Sequence, residues 1–284
     1  MEIIRVFPRK TKATPDDDHV RFGPPGMFDE ADEVHVSVAF TYDLPRAEWL
    51  AKQWAHVAPV RIGGPATGEK SGDFVPGMYL KKGYVITSRG CPNRCWFCSV
   101  WKREGDVREL PITEGWNVLD DNLLACSENH VRSVFSMLKR QPEKTQFTGG
   151  LEAKILKDWH IDILYDLKPQ RVFFAYDTED DYEPLVVAAE KVFSAGFLSK
   201  ASNNIRAFVL MGFKGDSFAD AERRCRAVLR TGIFPMAMVW RDTDGRRDPA
   251  WVKFAWPWSR PASINAMKKV PERREPGMVL EAFL

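Results

Sequence analysis

From residue 84 onward the chain alternates short runs of β-branched, aromatic and aliphatic residues with longer stretches whose apolar positions recur every three to four residues. The short runs predict strands over residues 84–87, 117–119, 145–148, 171–176, 206–211 and 235–240. The longer stretches predict helices. Ser127 stands where a side chain can cap one bearing Val131, Val134, Phe135 and Leu138, and Ser217 where it can cap another bearing Phe218, Ala221, Val228 and Leu229. Gly196 and Gly232 sit where helices should stop. Between Cys98 and Asn117 no amphipathic helix is visible, so the first connection is predicted to be irregular. Ahead of this region the pattern differs. Residues 34–40 form a β-branched run, residues 45–56 read as a helix, and residues 60–62 form a short strand entering Gly63-Gly64-Pro65, which together make one βαβ unit. Residues 66–77, rich in Gly, Ser and charge, read as a linker.

Strands alternating with helices specify a parallel sheet covered by helices, and six repeats suit an open curve better than a closed eight-stranded barrel. The expected fold class is therefore α/β. Residues 76–241 would form an open partial (β/α)6 TIM-type barrel, residues 1–75 a small α/β region like a shortened Rossmann piece, and residues 242–284 a C-terminal tail packing on the barrel. Chemistry should then gather at the carboxyl ends of the strands, where residues 91–98, 120–126, 149–152 and 177–181 fall.

Composition narrows the classes of function. Apolar residues at 44% and charged residues at 28% describe an ordinary folded chain of 284 residues. Lys and Arg number 41 against 39 Asp and Glu, a balance that gives no long-range field to attract nucleic acid or an anionic membrane. No apolar run approaches the roughly 20 residues a bilayer span needs, and the first twelve residues lack the apolar core of a signal peptide, so the expected compartment is the cytoplasm. Cysteines number five, an odd count, with three of them inside residues 91–98. A reduced compartment and a metal site explain that clustering better than a disulfide framework does.

Those three stand in Ser88-Arg89-Gly90-Cys91-Pro92-Asn93-Arg94-Cys95-Trp96-Phe97-Cys98, with the spacing C-x3-C-x2-C in a loop after a strand. Three thiolates can hold three irons of a 4Fe-4S cube and leave the fourth iron free to chelate a small molecule. A zinc site completed by Cys126 or His130, or three packed core cysteines, are the competing readings, since a structural zinc wants four ligands. The spacing, with Phe97 before the third cysteine, resembles the radical S-adenosylmethionine superfamily over roughly residues 80 to 240. The resemblance implies that Cys91, Cys95 and Cys98 hold a 4Fe-4S cluster, that Phe97 lies against the adenine of S-adenosylmethionine, and that an external one-electron reductant serves the cluster. In that family the cluster cleaves S-adenosylmethionine reductively to a 5′-deoxyadenosyl radical, which takes hydrogen from a substrate.

Further motifs bear on the same reading. Thr148-Gly149-Gly150-Leu151-Glu152 resembles the family's glycine-glycine-glutamate element with one residue inserted, which implies contacts of Gly149, Gly150 and Glu152 with the amino group of S-adenosylmethionine; an ordinary tight turn would use the same glycines. Asp177 closes the fourth strand, where a carboxylate can accept hydrogen bonds from ribose hydroxyls or merely cap the next helix. Cys126 follows the second strand and is either a hydrogen donor to a substrate radical or a buried small hydrophobe, while Cys225 continues an apolar helix face and reads as core. Asp120-Asp121 resembles the aspartate pair of the cobalamin-dependent and methylthio-transferring branches, and the βαβ unit resembles a fragment of their cobalamin-binding domain. The small N-terminal region and the lack of an Asp-x-His-x-x-Gly motif argue against cobalamin. That region either shields the cluster and shapes the substrate pocket or is a plain packing module.

In the tail, Trp251, Phe254, Trp256 and Trp258 interleave with Lys253, Arg260, Lys268, Lys269, Arg273 and Arg274. Such a composition can stack bases and hold phosphates, or can cover an exposed sheet edge. Two classes of function therefore stand. One is a radical enzyme acting on an unidentified substrate, with methyl or sulfur transfer as the nearest resemblance; the other is a non-catalytic zinc or iron-sulfur module that binds nucleic acid.

Overall fold

The structure is a computed structural model that describes residues 1–196, 203–242 and 244–267. It divides into two compact units, Met1–Gln141 with Thr243–Gly245, and Pro142–Asp242 with Arg246–Leu284.

The first unit begins with β1 (Ile3–Val6), β2 (Val20–Arg21), β3 (Glu33–Ser37), α1 (Leu44–Trp54) and β4 (Val60–Gly63). The four strands form one parallel sheet in the order β2-β1-β3-β4. Alternation along β3 decides its faces: Val34 and Val36 are fully buried with Ala47, Leu50 and Trp54 of α1, whereas Glu33, His35 and Ser37 are only partly buried. Each buried aliphatic side chain in this layer contributes about 1.5–3 kcal/mol. Trp54 also donates its indole N–H to the Gly23 carbonyl at 2.9 Å, which satisfies the one polar atom it carries into the core. The predicted βαβ unit is present as β3-α1-β4, but β1 and β2 extend it. At four and two residues, those strands are too short for a period to show in the sequence.

The same unit continues through β5 (Tyr84–Val85), β6 (Ser88–Arg89), α2 (Val100–Arg103), β7 (Arg108–Glu109), β8 (Asn117–Val118) and α3 (Glu128–Lys139). β5 and β8 pair in parallel, as the alternating pattern requires, while β6 and β7 pair antiparallel. The predicted strand over residues 84–87 therefore ends early, and the connection beyond it is largely irregular as expected, with one helical turn and the short β6–β7 pair within it. Two-residue strands and a four-residue helix leave no periodic signal to read. Ser127 caps α3 as expected, its Oγ accepting the His130 N–H at 3.3 Å.

The second unit contains β9 (Gln146–Phe147), α4 (Asp158–Leu167), β10 (Arg171–Ala175), α5 (Tyr182–Ser194), β11 (Ile205–Met211), α6 (Phe218–Arg230), β12 (Phe234–Val239), α7 (Pro249–Trp258) and α8 (Pro261–Met267). Strands β9, β10, β11 and β12 pair in parallel in chain order. Ser217 caps α6 by accepting the Asp220 N–H at 3.1 Å, and Cys225 on that helix is fully buried. The described aromatic part of the tail is folded: Trp251 meets Phe218 at a centroid distance of 4.4 Å, and Phe254 and Trp258 are buried, which leaves Trp256 exposed beneath the Arg260 guanidinium. Lys268, Lys269, Arg273 and Arg274 lie outside the described residues. Among the described residues no helix is long and apolar enough to cross a membrane.

Candidate functional site

Cys91, Cys95 and Cys98 lie on the connection between β6 and β7, each half-buried and none in a disulfide. The hairpin folds this connection back on itself. Cys91 donates its N–H to the Gly105 carbonyl at 3.1 Å, Cys98 donates to the Cys95 carbonyl at 3.1 Å, and the Trp101 indole donates to the Cys95 carbonyl at 3.0 Å. Gly90 enters the loop at φ +86°, and a Cβ there would run into the carbonyl oxygens of Gly105 and Asp106. Phe97 is half-buried with its ring edge-on to the exposed Trp96.

Three consecutive residues after β8 hold Thr87, Ser88, Gly90 and Cys91 at the loop entrance. Asp120, 2% exposed, accepts the Thr87 N–H at 2.7 Å, the Thr87 hydroxyl at 2.6 Å and the Ser88 hydroxyl at 2.7 Å. Asp121 accepts the Gly90 N–H at 2.9 Å, and Asn122 donates its side-chain amide to the Cys91 sulfur at 3.4 Å. Burial pushes the carboxyls of Asp120 and Asp121 above the usual range, against the pull of these donors. Asp120 also bears on where β5 stops: the Thr87 backbone N–H goes to this carboxylate instead of a ladder.

A second buried carboxylate holds the far side of the loop. Glu104, 2% exposed, receives the Ser71 hydroxyl at 2.6 Å and the Arg103 guanidinium at 2.9 Å, while Arg108 donates to the Ser71 carbonyl at 2.6 Å. Burial raises the Glu104 carboxyl, yet the Ser71 and Arg103 hydrogen bonds outweigh it and hold the group below its ordinary value. The segment read as a linker is thereby fastened to the cysteine hairpin. The sequence offered no role for Glu104 or Asn122, since a single acid in a charged stretch looks like any solvated residue.

The electrostatics separate the cysteines. Burial raises the Cys98 thiol, with Cys91 and Asp121 adding to the push and a backbone N–H and Arg103 opposing it. Cys126 faces Ser88, Asp120 and Glu109, and burial carries its thiol up to about 11, so it stays protonated at neutral pH. His130 is buried on α3 with Nδ1 3.6 Å from Glu109, and its Nε2 has no hydrogen-bond partner among the described residues.

The remaining predicted site residues belong to the second unit. Gly149, Gly150 and Glu152 follow β9, where Gly150 takes φ +99° and Leu151 donates its N–H to the Phe173 carbonyl at 2.8 Å. The residue inserted relative to the family element, Leu151, is buried in the core, and Glu152 is left half-buried beside it. Asp177, just past β10, accepts the Leu210 N–H at 3.0 Å and so joins the ends of β10 and β11. Burial raises its carboxyl to about 7, opposed by the Leu210 hydrogen bond and reinforced by Asp181.

The donor set can serve three irons of an iron-sulfur cube. Three sulfurs share one loop, one of them already receives an N–H, and Cys126 is turned to other partners. Among the described residues no three His, Cys, Asp or Glu side chains close around a point as one metal ion would demand.

No family model and no curated protein matches the chain. Among solved structures it is similar to TsrM, a radical S-adenosylmethionine methyltransferase from Kitasatospora setae with cobalamin and a 4Fe-4S cluster bound, at a TM-score of 0.54 and 10% identity. The chain shares that enzyme's fold. The match covers 74% of this chain and 64% of the neighbour, so the chain spans less than two thirds of that enzyme's length.

Proposed function

We propose that the protein is a radical S-adenosylmethionine enzyme, with Cys91, Cys95 and Cys98 as the ligands of one 4Fe-4S cluster. The observation that carries the reading is the set of three unbridged thiols on one clamped hairpin, with Asn122 donating to the Cys91 sulfur at 3.4 Å. When bound, the cluster would supply the electron that cleaves S-adenosylmethionine to a 5′-deoxyadenosyl radical. The chain's own residues prepare the site. Asp120, Asp121 and Glu104 hold the two ends of the loop that carries the thiols, and the Asn122 amide donates to the Cys91 sulfur.

In the same reading Phe97 faces the adenine, Gly149, Gly150 and Glu152 serve the amino group of S-adenosylmethionine, and Asp177 serves its ribose, its carboxyl able to donate as well as accept near neutral pH. Cys126, protonated at neutral pH, has the S–H bond a hydrogen donor needs. We assign the six predicted strands to an open partial barrel over residues 76–241, with residues 1–75 and 242–284 as accessory parts. The compartment is the reducing cytoplasm, the reductant is external, and the reaction acts on an unidentified substrate without cobalamin, methyl or sulfur transfer being the nearest resemblance.

Anaerobic reconstitution with iron and sulfide, followed by dithionite and S-adenosylmethionine, tests the proposal. The intact protein should form 5′-deoxyadenosine, and a variant with all three cysteines replaced by Ala should not. Retention of zinc, or of a cluster that leaves S-adenosylmethionine untouched, would instead support the nucleic-acid-binding module.

A further inference from the structure

A cavity of about 600 Å³ opens within the first unit at the carboxyl ends of its four-stranded sheet. Its position follows from topology. The connection leaving β1 runs to β2 on one side, and the connection leaving β3 runs through α1 to β4 on the other, so the crevice between the ends of β1 and β3 is the switch point where open α/β sheets bind ligands. Phe7 follows β1, Phe40 follows β3, and both line the cavity together with Phe74 and Tyr79. The His35 ring is hydrogen-bonded to the Tyr79 hydroxyl at 2.6 Å, which holds that aromatic wall in place. The size lies inside the range of about 300–1,000 Å³ common for small-molecule sites.

The cavity is lined by the acids Asp43, Glu69 and Asp73, the last two exposed, and by cations that are not equivalent. Arg9 forms two bonds of 2.8 Å to Asp43, and Arg61 is paired with Glu33, so both are committed. Lys70 is exposed. Arg89 differs from all three: its side chain is only 17% exposed, and among the described residues its guanidinium makes no hydrogen bond, its one ion pair being with Asp121 at 3.9 Å. Asp121 is itself engaged by the Gly90 N–H. A planar fork of five donors, bonded to no acceptor at hydrogen-bond distance and reachable from the cavity, matches a carboxylate that can take two parallel bonds.

We propose that this cavity is the substrate site, and that it takes a small organic acid whose flat apolar body lies among the aromatic rings and whose carboxylate sits on Arg89. That it is a substrate rests on the enzymatic reading above, because Arg89 stands two residues before Cys91 on the same hairpin. A ligand anchored there is presented to the loop that carries the three thiols.

The test uses the full-length reconstituted protein and isothermal titration with 2-naphthoate, its neutral isostere 2-naphthamide, and 2-naphthyl phosphate. Naphthoate should bind at least about tenfold tighter than naphthamide, the discrimination expected of hydrogen bonds to a charged group, and also tighter than the phosphate. Arg89→Gln should abolish the preference while leaving naphthamide affinity within about twofold. Ile62→Trp, which fills the cavity from β4, should weaken both naphthoate and naphthamide about tenfold or more without changing iron content. Equal affinity for acid and amide, a preference that survives Arg89→Gln, binding that survives Ile62→Trp, stronger binding of the phosphate, or displacement of naphthoate by stoichiometric hydroxocobalamin would each overturn the proposal. Deoxyadenosine formation by the same native sample separates the two levels: cleavage without acid preference removes only this site, whereas acid preference without cleavage removes the enzymatic reading and leaves an anion site.

Discussion

Replacing Asp120 by Ala removes the acceptor for three donors in a pocket where the carboxylate is 2% exposed. The Thr87 N–H has no freedom to turn elsewhere, while the Thr87 and Ser88 hydroxyls can rotate toward other acceptors. At about 1–3 kcal/mol for each stranded buried donor, offset in part by no longer burying a carboxylate, the net loss should be about 3 kcal/mol. Asn at the same position keeps the oxygen that serves the Thr87 N–H and offers its amide to the two hydroxyls, so it should cost only about 1 kcal/mol. Urea unfolding read by far-ultraviolet circular dichroism measures both, and iron retained after challenge with a chelator measures the loop. Asp120→Ala should lower the midpoint well below Asp120→Asn and lose iron faster than either Asp120→Asn or the native chain. The clamp argument fails if the Ala variant matches the native chain in both assays, or if Asn is as damaging as Ala.

Other consequences are separable from that one. The folded Asp177 carboxyl, raised by burial from its ordinary 3.8 to about 7, binds its proton more tightly than in the unfolded chain. Stability should therefore fall as pH rises through about 4 to 7, by up to about 1.4 kcal/mol per pH unit, and level off above; melting curves of Asp177→Asn should lack this slope, and parallel curves for the two proteins would contradict it. The Cys126 thiol, raised to about 11, should react with iodoacetamide slowly at pH 8 and faster as pH approaches 11, whereas a rate already at its plateau by pH 8 would mean the thiol is not held protonated. Gly90→Ala meets both a positive φ and two carbonyl oxygens, so it should cost about 1–3 kcal/mol and lower iron content on reconstitution; full iron content would show the loop tolerates a different entry.

Much of the framework was legible because it rests on local rules. Ser127 and Ser217 cap the helices they precede, Cys225 is core, and the six predicted strands occur within a few residues of their expected ends. What could not be read was set by contacts distant in sequence. The strand after Tyr84 ends early as Asp120, more than thirty residues away, takes the Thr87 backbone N–H. Residues 66–77 looked like a linker because nothing nearby reveals that Ser71 is bound to a buried Glu104. Likewise the cavity wall depends on pairing β1 with β3, which a four-residue strand does not announce. The cysteine spacing is a local signal and was visible at once, whereas the hydrogen bond from Asn122 to Cys91 needed the fold.

The central claim is that three thiolates hold a cube and leave one iron open. Electron paramagnetic resonance of the reconstituted, dithionite-reduced protein, recorded with and without S-adenosylmethionine, addresses it most directly. The account predicts a reduced-cluster signal that changes when S-adenosylmethionine is added, because the open iron gains a ligand. A signal identical in both samples would mean that every iron is already ligated, and would contradict it.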